Sequence, residues 1–270
     1  MRILLTGATG FLGKHVLHQL QQKRFEITVL IRDAEKAKTL KLNQNTKLFV
    51  SDLKCADLTS LNLHDTTLIH LAWDYLENYD DQRHYEALLP DHYNFIKSTL
   101  HAGVKQVLVS GTCFEYGLIN GPIKASQKTE PVTCYGFAKD SLHSQLRHLQ
   151  RNEPFKLQWA RLFFLHGEQQ RSTSLLGQLE SVVKNGHKDF QMSLGEQLRD
   201  YLPVSRAAEK IVELALNAND GCFNVCSGQP ISVRRLVENK LQNLGANLEL
   251  TFAQKSYPDH EPMAFWGVND

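Results

Sequence analysis

The 270-residue sequence lacks the features that mark several large classes of protein. Its 30 basic and 29 acidic residues leave a formal net charge of +1, which indicates neither nucleic acid nor an anionic membrane as a partner. The five cysteines contain no Cys-x-x-Cys pair and the twelve histidines show no metal-ligand spacing, which argues against a disulfide framework and a metal site. No apolar run approaches the roughly 20 residues needed to span a bilayer, and the N-terminal run is too short for a secretory signal. We therefore expect a cytoplasmic protein without a metal.

A glycine-rich segment near the N-terminus is typical of a turn that binds a dinucleotide. Residues 2–6 form an apolar run of strand length, and a helical pattern follows through Val16, Leu17 and Leu20. Between them the spacing Gly-x-x-Gly-x-x-Gly lets the backbone turn tightly and approach a pyrophosphate at a helix N-terminus. The alternative is a tight turn that binds no ligand. The residues predicted to contact the coenzyme here are Gly7, Thr9, Gly10, Phe11, Leu12 and Gly13.

Strand-like and helix-like segments alternate through the first half of the chain. Apolar runs that predict strands lie at residues 26–31, 47–50, 67–71, 106–110 and 156–163, and helical patterns lie at 11–23, 84–102 and 135–151. This alternation is the signature of right-handed βαβ crossovers and a parallel sheet with helices on both faces. It predicts an α/β fold with a Rossmann-like, doubly wound parallel sheet. Pro90 should break or kink the second helix unless it lies in the first turn.

Residues that directly follow the predicted strands are candidates for coenzyme contacts, because ligands of such sheets bind at the carboxyl ends of strands. Arg32 follows the second predicted strand, the first being residues 2–6, and a guanidinium there suits the 2′-phosphate of NADP(H). Asp33 comes next, and a shift of one residue in register would favour NAD(H) instead. Asp52 follows the third strand, where its carboxylate would bind the adenine amino group or cap a turn. The further candidates after the third and fourth strands are Leu53, Leu71 and Ala72.

A tyrosine and a lysine stand four residues apart in the segment Thr-Cys-Tyr-Gly-Phe-Ala-Lys at residues 133–139. On a helix, side chains at i and i+4 share a face, so Lys139 would point toward the same space as Tyr135. A fixed positive charge stabilises a phenolate and lowers its pKa from the usual value near 10, which would make Tyr135 a proton donor and acceptor. The alternative is a solvated helix face with no chemical role.

Residues 109–117, Val-Ser-Gly-Thr-Cys-Phe-Glu-Tyr-Gly, complete a familiar pattern. With the N-terminal glycines and the Tyr135/Lys139 pair, they resemble the extended short-chain dehydrogenase/reductase family. The similarity is to its nucleotide-sugar epimerase, dehydratase and reductase branch, and most of all to the 4-ketoreductases of NDP-4-keto-6-deoxyhexoses. The resemblance implies that Tyr135 is the general acid/base and that Lys139 holds the nicotinamide ribose and lowers the tyrosine pKa. It also implies that Thr112 hydrogen-bonds the reacting sugar oxygen.

The resemblance extends over nearly the whole chain. Residues 160–167 are similar to the family's Arg-Pro-x-Asn-Val-Tyr-Gly segment, residues 195–204 to its Gly-x-x-x-Arg-Asp-Phe-x-x-Val segment, and residues 223–233 to its late Tyr-Asn-Ile-x-Ser-Gly…Ser-Val segment. By this resemblance Arg199 reaches the diphosphate of a nucleoside-diphosphate sugar, for which a guanidinium fork is suited. The alternative is an ion pair with Asp200 or another neighbouring carboxylate.

The family pattern also implies how the chain is organised. An NAD(P)-binding domain is expected at residues 1–166 and a mainly substrate-binding lobe at 167–270, with a helix at 205–216 that returns to the first domain. Residues 258–262 are expected to form an exposed loop that closes over the sugar. Relatives pair through helices equivalent to those predicted at 84–102 and 135–151, so a homodimer is expected.

Three departures from the family pattern bear on the reaction. Phe164 replaces an asparagine that usually touches the substrate, and residues 88–94 lack the first asparagine of the family's Asn-Val-x-Gly-Thr-x-Asn segment. Cys113 and Phe114 replace the Asp-Glu pair with which the 4,6-dehydratases of this branch eliminate water. Dehydration is therefore not expected.

Two enzymatic interpretations remain. In the first, NADPH reduces the 4-keto group of a dTDP-, CDP- or GDP-linked 4-keto-6-deoxyhexose, in the synthesis of deoxysugars for surface polysaccharide such as lipopolysaccharide. In the second, a 4-epimerase with tightly bound NAD oxidises and re-reduces C4. Arg32 favours the reductase, because epimerases of this group generally carry NAD. A third interpretation is a non-catalytic NADP-sensing or scaffold protein, against which stand Thr112, Tyr135 and Lys139 at family spacing.

Overall fold

The computed structural model describes residues 1–217 and 219–269. Its main feature is a seven-stranded parallel sheet in the order β11-β7-β5-β4-β1-β2-β3. The strand order reverses between β1 and β4, which opens a crevice at their carboxyl ends. The predicted doubly wound α/β fold is confirmed. The fourteen strands are β1 Arg2–Thr6, β2 Glu26–Ile31, β3 Thr46–Val50, β4 Thr66–His70, β5 Gln106–Thr112, β6 Gly121–Ile123, β7 Lys156–Leu162, β8 Phe164–His166, β9 Asp189–Gln191, β10 Leu198–Pro203, β11 Gly221–Val225, β12 Pro230–Ser232, β13 Glu249–Thr251 and β14 Phe265–Gly267.

The helices predicted at 11–23, 84–102, 135–151 and 205–216 are present with shifted ends, and α2, α5 and α7 were not predicted. Pro90 lies in the first turn of α3, directly after a π-helical turn at His84–Leu88, so the α-helical hydrogen-bond pattern begins only at the proline. The α-helices are α1 Phe11–Gln21, α2 Ala34–Ala37, α3 Leu89–His101, α4 Cys134–Asn152, α5 Leu175–Lys184, α6 Val204–Leu216 and α7 Val233–Leu244.

Apolar residues bury both faces of the large sheet, as parallel sheets require. On one face α1 and α6 pack together, with Val16 and Leu20 among the buried residues of α1 and Ala208 and Ile211 among those of α6. On the other face α3 and α4 contribute buried leucine, isoleucine and phenylalanine side chains. The helix predicted at 205–216 is α6, and β11 follows it into the edge of the sheet.

A second body of structure lies beyond the carboxyl ends of the strands. It has a small sheet in the order β12-β10-β8, the pairs β13–β9 and β14–β6, and a core of its own between α5 and α7. Because β6 and β14 come from distant parts of the chain, the C-terminal residues are tied back to the segment after β5. The domain boundary at residue 166 stays a prediction. Within the described residues, no helix has the length and apolarity to cross a membrane.

Candidate active site

The glycine turn lies between β1 and α1, at the crevice where the strand order reverses. Gly7 has a φ of +76°, and a Cβ on it would lie 2.6 Å from the backbone nitrogen of Ala72. A Cβ on Gly13 would overlap the carbonyl of Gly7, so α1 can approach the turn only because residue 13 has no side chain. Gly10 closes the turn by donating its N–H to the Gly7 carbonyl over 3.0 Å. The backbone shape fits a pyrophosphate cradle.

A cleft of about 410 Å³ opens over this turn. Phe11, Leu12 and Gly13 do not line it: Leu12 packs in the core and Gly13 against Gly7. Among the lining residues that the sequence did not single out are Lys36, Trp73, Asp74, His92 and Arg171. The residues predicted for coenzyme contact that do line it are Gly7, Thr9, Gly10, Arg32, Asp52, Leu53, Leu71 and Ala72.

Two acidic side chains near the predicted ribose end of the cleft already have backbone partners. Asp33 caps α2 by accepting from the N–H groups of Glu35 and Lys36 at 2.9 and 3.4 Å. Asp52 caps the short turn that follows it, accepting from the Lys54 N–H at 3.0 Å, and it also lines the cleft. Both roles considered for Asp52 are therefore compatible with its position.

Arg32 points into the cleft and pairs with an acid that the sequence pattern did not identify. Its Nη1 lies 2.9 Å from Asp74 Oδ2, with 60% of the Arg32 side chain exposed. The hydrogen bond to Asp74 raises the pKa of Arg32. An exposed pair of this kind contributes little stability, so the guanidinium can exchange Asp74 for a phosphate at small cost.

Tyr135 and Lys139 are buried residues of α4 that do not line the cleft themselves, but both contact the ring of Trp73, which does. The Tyr135 ring stacks on that of Tyr79 with centroids 5.5 Å apart, and its backbone N–H donates to the Tyr79 carbonyl at 2.8 Å. Lys139 Nζ donates to the Ser110 carbonyl at 2.8 Å and lies 4.0 Å from the centroid of the Trp73 ring. Both side chains are thus held by groups on β5 and on the segments after β4.

The expected lowering of the Tyr135 pKa by Lys139 is wrong for the protein in this state. Burial raises the pKa of Tyr135, while a hydrogen bond with Thr112 opposes the rise. Burial also lowers the pKa of Lys139 to about 7, with the charge of Glu115 opposing it. The shared helix face predicted from spacing is present, but desolvation is the largest influence on both pKa values.

Thr112 is placed by a buried ionic network. It caps the short helix Cys113–Tyr116, and its backbone N–H donates to Glu115 Oε1 at 2.7 Å. Glu115 also accepts from Trp159 Nε1 at 3.0 Å and from Arg161 Nε at 2.6 Å. A Cβ on Gly111 would overlap Trp159 and lie 2.5 Å from Glu115 Oε1, so the network fits only beside glycine.

Several histidines form a buried chain beside the cleft that the sequence pattern did not reveal. His70 Nδ1 lies 2.9 Å from Thr6 Oγ1, and its Nε2 lies 2.7 Å from His92 Nδ1. Burial, together with the charge of Lys139, lowers the pKa of His70 to about 3. Trp73 stacks on His92 with centroids 4.4 Å apart and donates to His84 at 3.0 Å. This chain fixes the Trp73 ring against Lys139.

Arg199, predicted to reach a substrate diphosphate, is held inside the second body of structure. It is 1% exposed, and its Nε and Nη2 donate to Glu261 Oε2 at 3.0 and 2.7 Å. Its Nη1 donates to the backbone carbonyls of Leu198 and Met263. Asp200 instead accepts from two backbone N–H groups at residues 227 and 228. Of the two interpretations, the geometry gives the ion pair, with Glu261 as the carboxylate.

Aromatic side chains surround the space outside Tyr135. His260, in the segment predicted to close over the sugar, contacts the rings of Tyr79 and Phe114 with centroids 6.0 and 5.9 Å away. Phe164, at the position of the family's asparagine, packs against Tyr201 at 5.4 Å. The substrate side of the site is therefore rich in ring surface and poor in amide groups.

Comparison with known proteins points to the same family as the sequence motifs. The sequence profile of the NAD dependent epimerase/dehydratase family matches residues 3–226. The dTDP-6-deoxy-L-talose 4-dehydrogenase (NAD(+)) of Aggregatibacter actinomycetemcomitans is 28% identical, over 99% of this chain and 100% of its own length. The UDP-glucose 4-epimerase of Halalkalibacterium halodurans is 27% identical, over 88% of this chain and 79% of its own.

The fold recurs in solved structures. A UDP-glucuronic acid 4-epimerase from Bacillus cereus, crystallised as a Tyr-to-Phe mutant with a fluorinated sugar nucleotide and NAD, superposes with a TM-score of 0.88. It covers 100% of this chain and 90% of its own at 18% identity, which shows a common fold. With a family profile that spans most of its length, the chain belongs to the NAD dependent epimerase/dehydratase family, within the nucleotide-sugar branch of the extended short-chain dehydrogenases/reductases.

Proposed function

We propose that this protein reduces the 4-keto group of a nucleoside-diphosphate-4-keto-6-deoxyhexose, with NADPH as the coenzyme. The observation that carries the proposal is the grouping of Thr112, Tyr135 and Lys139 beside Trp73, a residue that lines the cleft over the glycine turn. Support also comes from the full-length relative named as a dTDP-6-deoxyhexose 4-dehydrogenase, since oxidation at C4 is the reverse of this reduction. A cytoplasmic setting and a role in surface polysaccharide remain predictions.

The mechanism assigns one task to each of the three side chains. NADPH, when bound at the glycine turn, supplies the hydride for C4. Tyr135 donates its phenolic proton to the C4 oxygen, and Thr112 hydrogen-bonds the same oxygen and stabilises its developing charge. Lys139, whose pKa burial lowers to about 7, binds the nicotinamide ribose and stabilises the phenolate that remains. Burial makes these interactions stronger because water does not compete with them.

The coenzyme preference rests on the ribose end of the cleft. Arg32 and Lys36 both line it, and within the described residues Lys36 forms no salt bridge. Asp33 is the residue that would favour NAD(H), but its carboxylate accepts hydrogen bonds from the first N–H groups of α2. The positive charges of Arg32 and Lys36, beside an Asp33 carboxylate that is already hydrogen-bonded, favour the 2′-phosphate of NADP(H). The name of the dTDP-sugar relative specifies NAD(+), so a direct comparison of the two coenzymes is required.

The coenzyme test compares catalytic efficiency with NADPH and NADH. The wild-type protein should prefer NADPH, and Arg32→Gln should lower kcat/KM for NADPH by about 10-fold or more, as expected for one lost charge-assisted hydrogen bond. The efficiency with NADH should change less than threefold. An unmodified protein that prefers NADH would refute the assignment of Arg32.

The 6-deoxy class of sugar rests on the ring surface around Tyr135. Phe114 and Phe164 stand where relatives carry polar residues, and their rings lie 6.1 Å apart. The rings of Phe114 and Phe164 accept a methyl group at C6, whereas a hydroxyl packed against them would lose its hydrogen bonds to water. We expect sugars with a C6 hydroxyl to react more slowly than their 6-deoxy counterparts.

The decisive experiment identifies the product. The purified protein is incubated with NADPH and a panel of dTDP-, CDP- and GDP-linked 4-keto-6-deoxyhexoses, and oxidation of the coenzyme is followed together with chromatography of the sugar nucleotide. Tyr135→Phe should reduce kcat by roughly 100- to 10,000-fold, the usual contribution of a positioned acid. Tightly bound NAD with interconversion of C4 epimers and no net oxidation would favour the epimerase instead, and coenzyme binding without turnover of any sugar would favour a sensing role.

A further inference from the structure

Two of the four cations that line the coenzyme cleft are paired with carboxylates, and Lys36 and Arg171 are not, within the described residues. Arg32 lies 2.9 Å from Asp74, and Lys54 lies 2.9 Å from Asp91. Arg171 lines the same cleft, yet within residues 1–217 and 219–269 it forms no salt bridge with a carboxylate. Arg171 is exposed, and without a carboxylate partner among these residues its guanidinium is available to bind an anion in the cleft.

The segment that carries Arg171 reaches the cleft from the far side. It connects β8 to α5 and crosses the N-terminal end of α1, where Lys14 Nζ donates to Gln169 Oε1 at 3.1 Å. Gln169 has a φ of +64°, which turns the chain, and the Ser174 N–H donates to the Arg171 carbonyl at 3.0 Å. Arg171 therefore lies on a short segment that is held by hydrogen bonds on both sides of this residue.

Arg171 also lies near the reacting end of the site. Burial raises the pKa of Tyr79, and the charge of Arg171 opposes that rise, so the two side chains are close enough to interact electrostatically. Tyr79 stacks on Tyr135. Arg171 thus lines the same cleft as the glycine turn and also interacts with the aromatic cluster around Tyr135.

The glycine turn itself offers a pyrophosphate backbone groups and the Thr9 hydroxyl but no charged side chain. Gly10 caps α1 without a side-chain hydrogen bond, and the first basic residue of α1, Lys14, is engaged by Gln169. Arg199, the other candidate for a phosphate contact, is buried against Glu261. A planar guanidinium can bind two phosphate oxygens at once, and it is worth more where water is partly excluded.

We propose that Arg171 binds the pyrophosphate of the dinucleotide coenzyme, so that a residue from beyond β8 completes the cradle begun by the glycine turn. The inference rests on the proposed function only for the class of coenzyme and not for the sugar chemistry. It also explains why the Gly167–Ser174 connection is fastened to α1.

The test measures coenzyme binding in the absence of sugar. The protein is titrated with NADPH or NADH in a calorimeter. For both coenzymes the dissociation constant of Arg171→Gln should be 10- to 100-fold larger than that of the wild type, the range expected for a lost charge-assisted contact. Arg171→Lys should lie between, and adenosine monophosphate, which lacks the second phosphate, should bind all variants within threefold. Arg151→Gln, an exposed arginine on α4 outside this cleft, is the matched control and should behave as wild type.

Two results would overturn the proposal. In one, Arg171→Gln binds both coenzymes as tightly as the control. In the other, it binds the coenzymes normally but loses affinity for dTDP, which would assign Arg171 to the substrate diphosphate. Because binding is measured without turnover, a protein that proves inactive on every sugar but binds NADPH through Arg171 would refute the proposed reaction and leave this inference standing.

Discussion

Lys139 is buried deeply enough to favour its neutral amine, although the Trp73 ring and the Ser110 carbonyl favour the ammonium. It is 1% exposed, packed over the Trp73 ring and beside the neutral His70–His92 chain. Its lowered pKa, about 7, allows it to gain or lose a proton near neutral pH. This is a useful property for a group that must hold a ribose and stabilise a phenolate in turn.

The same pKa predicts how stability depends on pH. Between pH 7 and about 10 the unfolded chain keeps a proton on Lys139 that the folded protein has released, so the free energy of unfolding should rise with pH, by at most about 1.4 kcal/mol per pH unit from this group. Lys139→Met should remove that contribution. Urea unfolding of the coenzyme-free protein at pH 7, 8 and 9 measures it, with the exposed Lys128→Met as control. Equal pH dependence in wild type and Lys139→Met would contradict the prediction.

Asp74 competes with the coenzyme for Arg32. The exposed pair is worth less than about 1 kcal/mol, but the Asp74 carboxylate also repels a 2′-phosphate. Asp74→Asn should therefore bind NADPH two- to fivefold more tightly than wild type, with little change for NADH. The comparison of the two dissociation constants separates this effect from a general change in the cleft. Weaker NADPH binding in Asp74→Asn would show that the carboxylate positions Arg32 for the phosphate.

At the scale of secondary structure, the turn after β5 depends on one buried carboxylate. Glu115 is fully buried, and its partner Arg161 is 4% exposed. Glu115→Gln keeps the size of the side chain but leaves the Arg161 charge without its counter-charge, which should lower the free energy of unfolding by about 3–5 kcal/mol. Because Glu115 also holds the backbone of Thr112, kcat should fall as well.

A double variant separates charge from packing in that network. Glu115→Gln combined with Arg161→Met removes both charges, and it should recover most of the stability lost in the single variant. Chemical denaturation of the three proteins measures the coupling between the two side chains. A single variant within about 1 kcal/mol of wild type would mean that water or another group satisfies Arg161.

The local sequence pattern predicted many of the strands and helices but not the side-chain pairs that form between them. The strand at Glu26–Ile31 was predicted to the residue, because its apolar run is buried on both faces of the sheet. Strand β10 was not, since Arg199, Asp200 and Pro203 carry no strand pattern and are paired by neighbours far along the chain. The Glu115–Arg161 and Arg199–Glu261 pairs join residues 46 and 62 positions apart. Periodicity in the sequence does not predict contacts between residues so far apart.

The pKa of Tyr135 is a second property of the candidate site that could not be predicted from the local sequence. Spacing placed Tyr135 and Lys139 on one helix face, and the structure keeps them there. The sign of the tyrosine shift depends on how deeply the site is buried and on where the ammonium is aimed. Both depend on Trp73, which follows β4, and on Ser110, which lies on β5.

At the scale of the whole molecule, α3 and α4 lie side by side on one face of the sheet and leave apolar surface outside the core. Phe137 on α4 is 50% exposed, and its ring meets that of Tyr85 edge to face with centroids 5.9 Å apart. Tyr135 and Lys139 are buried residues of α4. A partner that covers Phe137 would therefore leave the reacting side chains inside each subunit.

The homodimer predicted from the family pattern would form through these two helices. Sedimentation velocity at micromolar concentration should show a dimer for the wild-type chain and a monomer for Phe137→Glu, because a carboxylate inside an apolar interface loses its water without gaining a partner. Leu244→Glu, which alters an apolar side chain of similar exposure at the end of α7, should remain a dimer. A wild-type protein that sediments as a monomer, or a Phe137→Glu variant that stays dimeric, would place the interface elsewhere or remove it, because burial of Phe137 is the contact on which this arrangement depends.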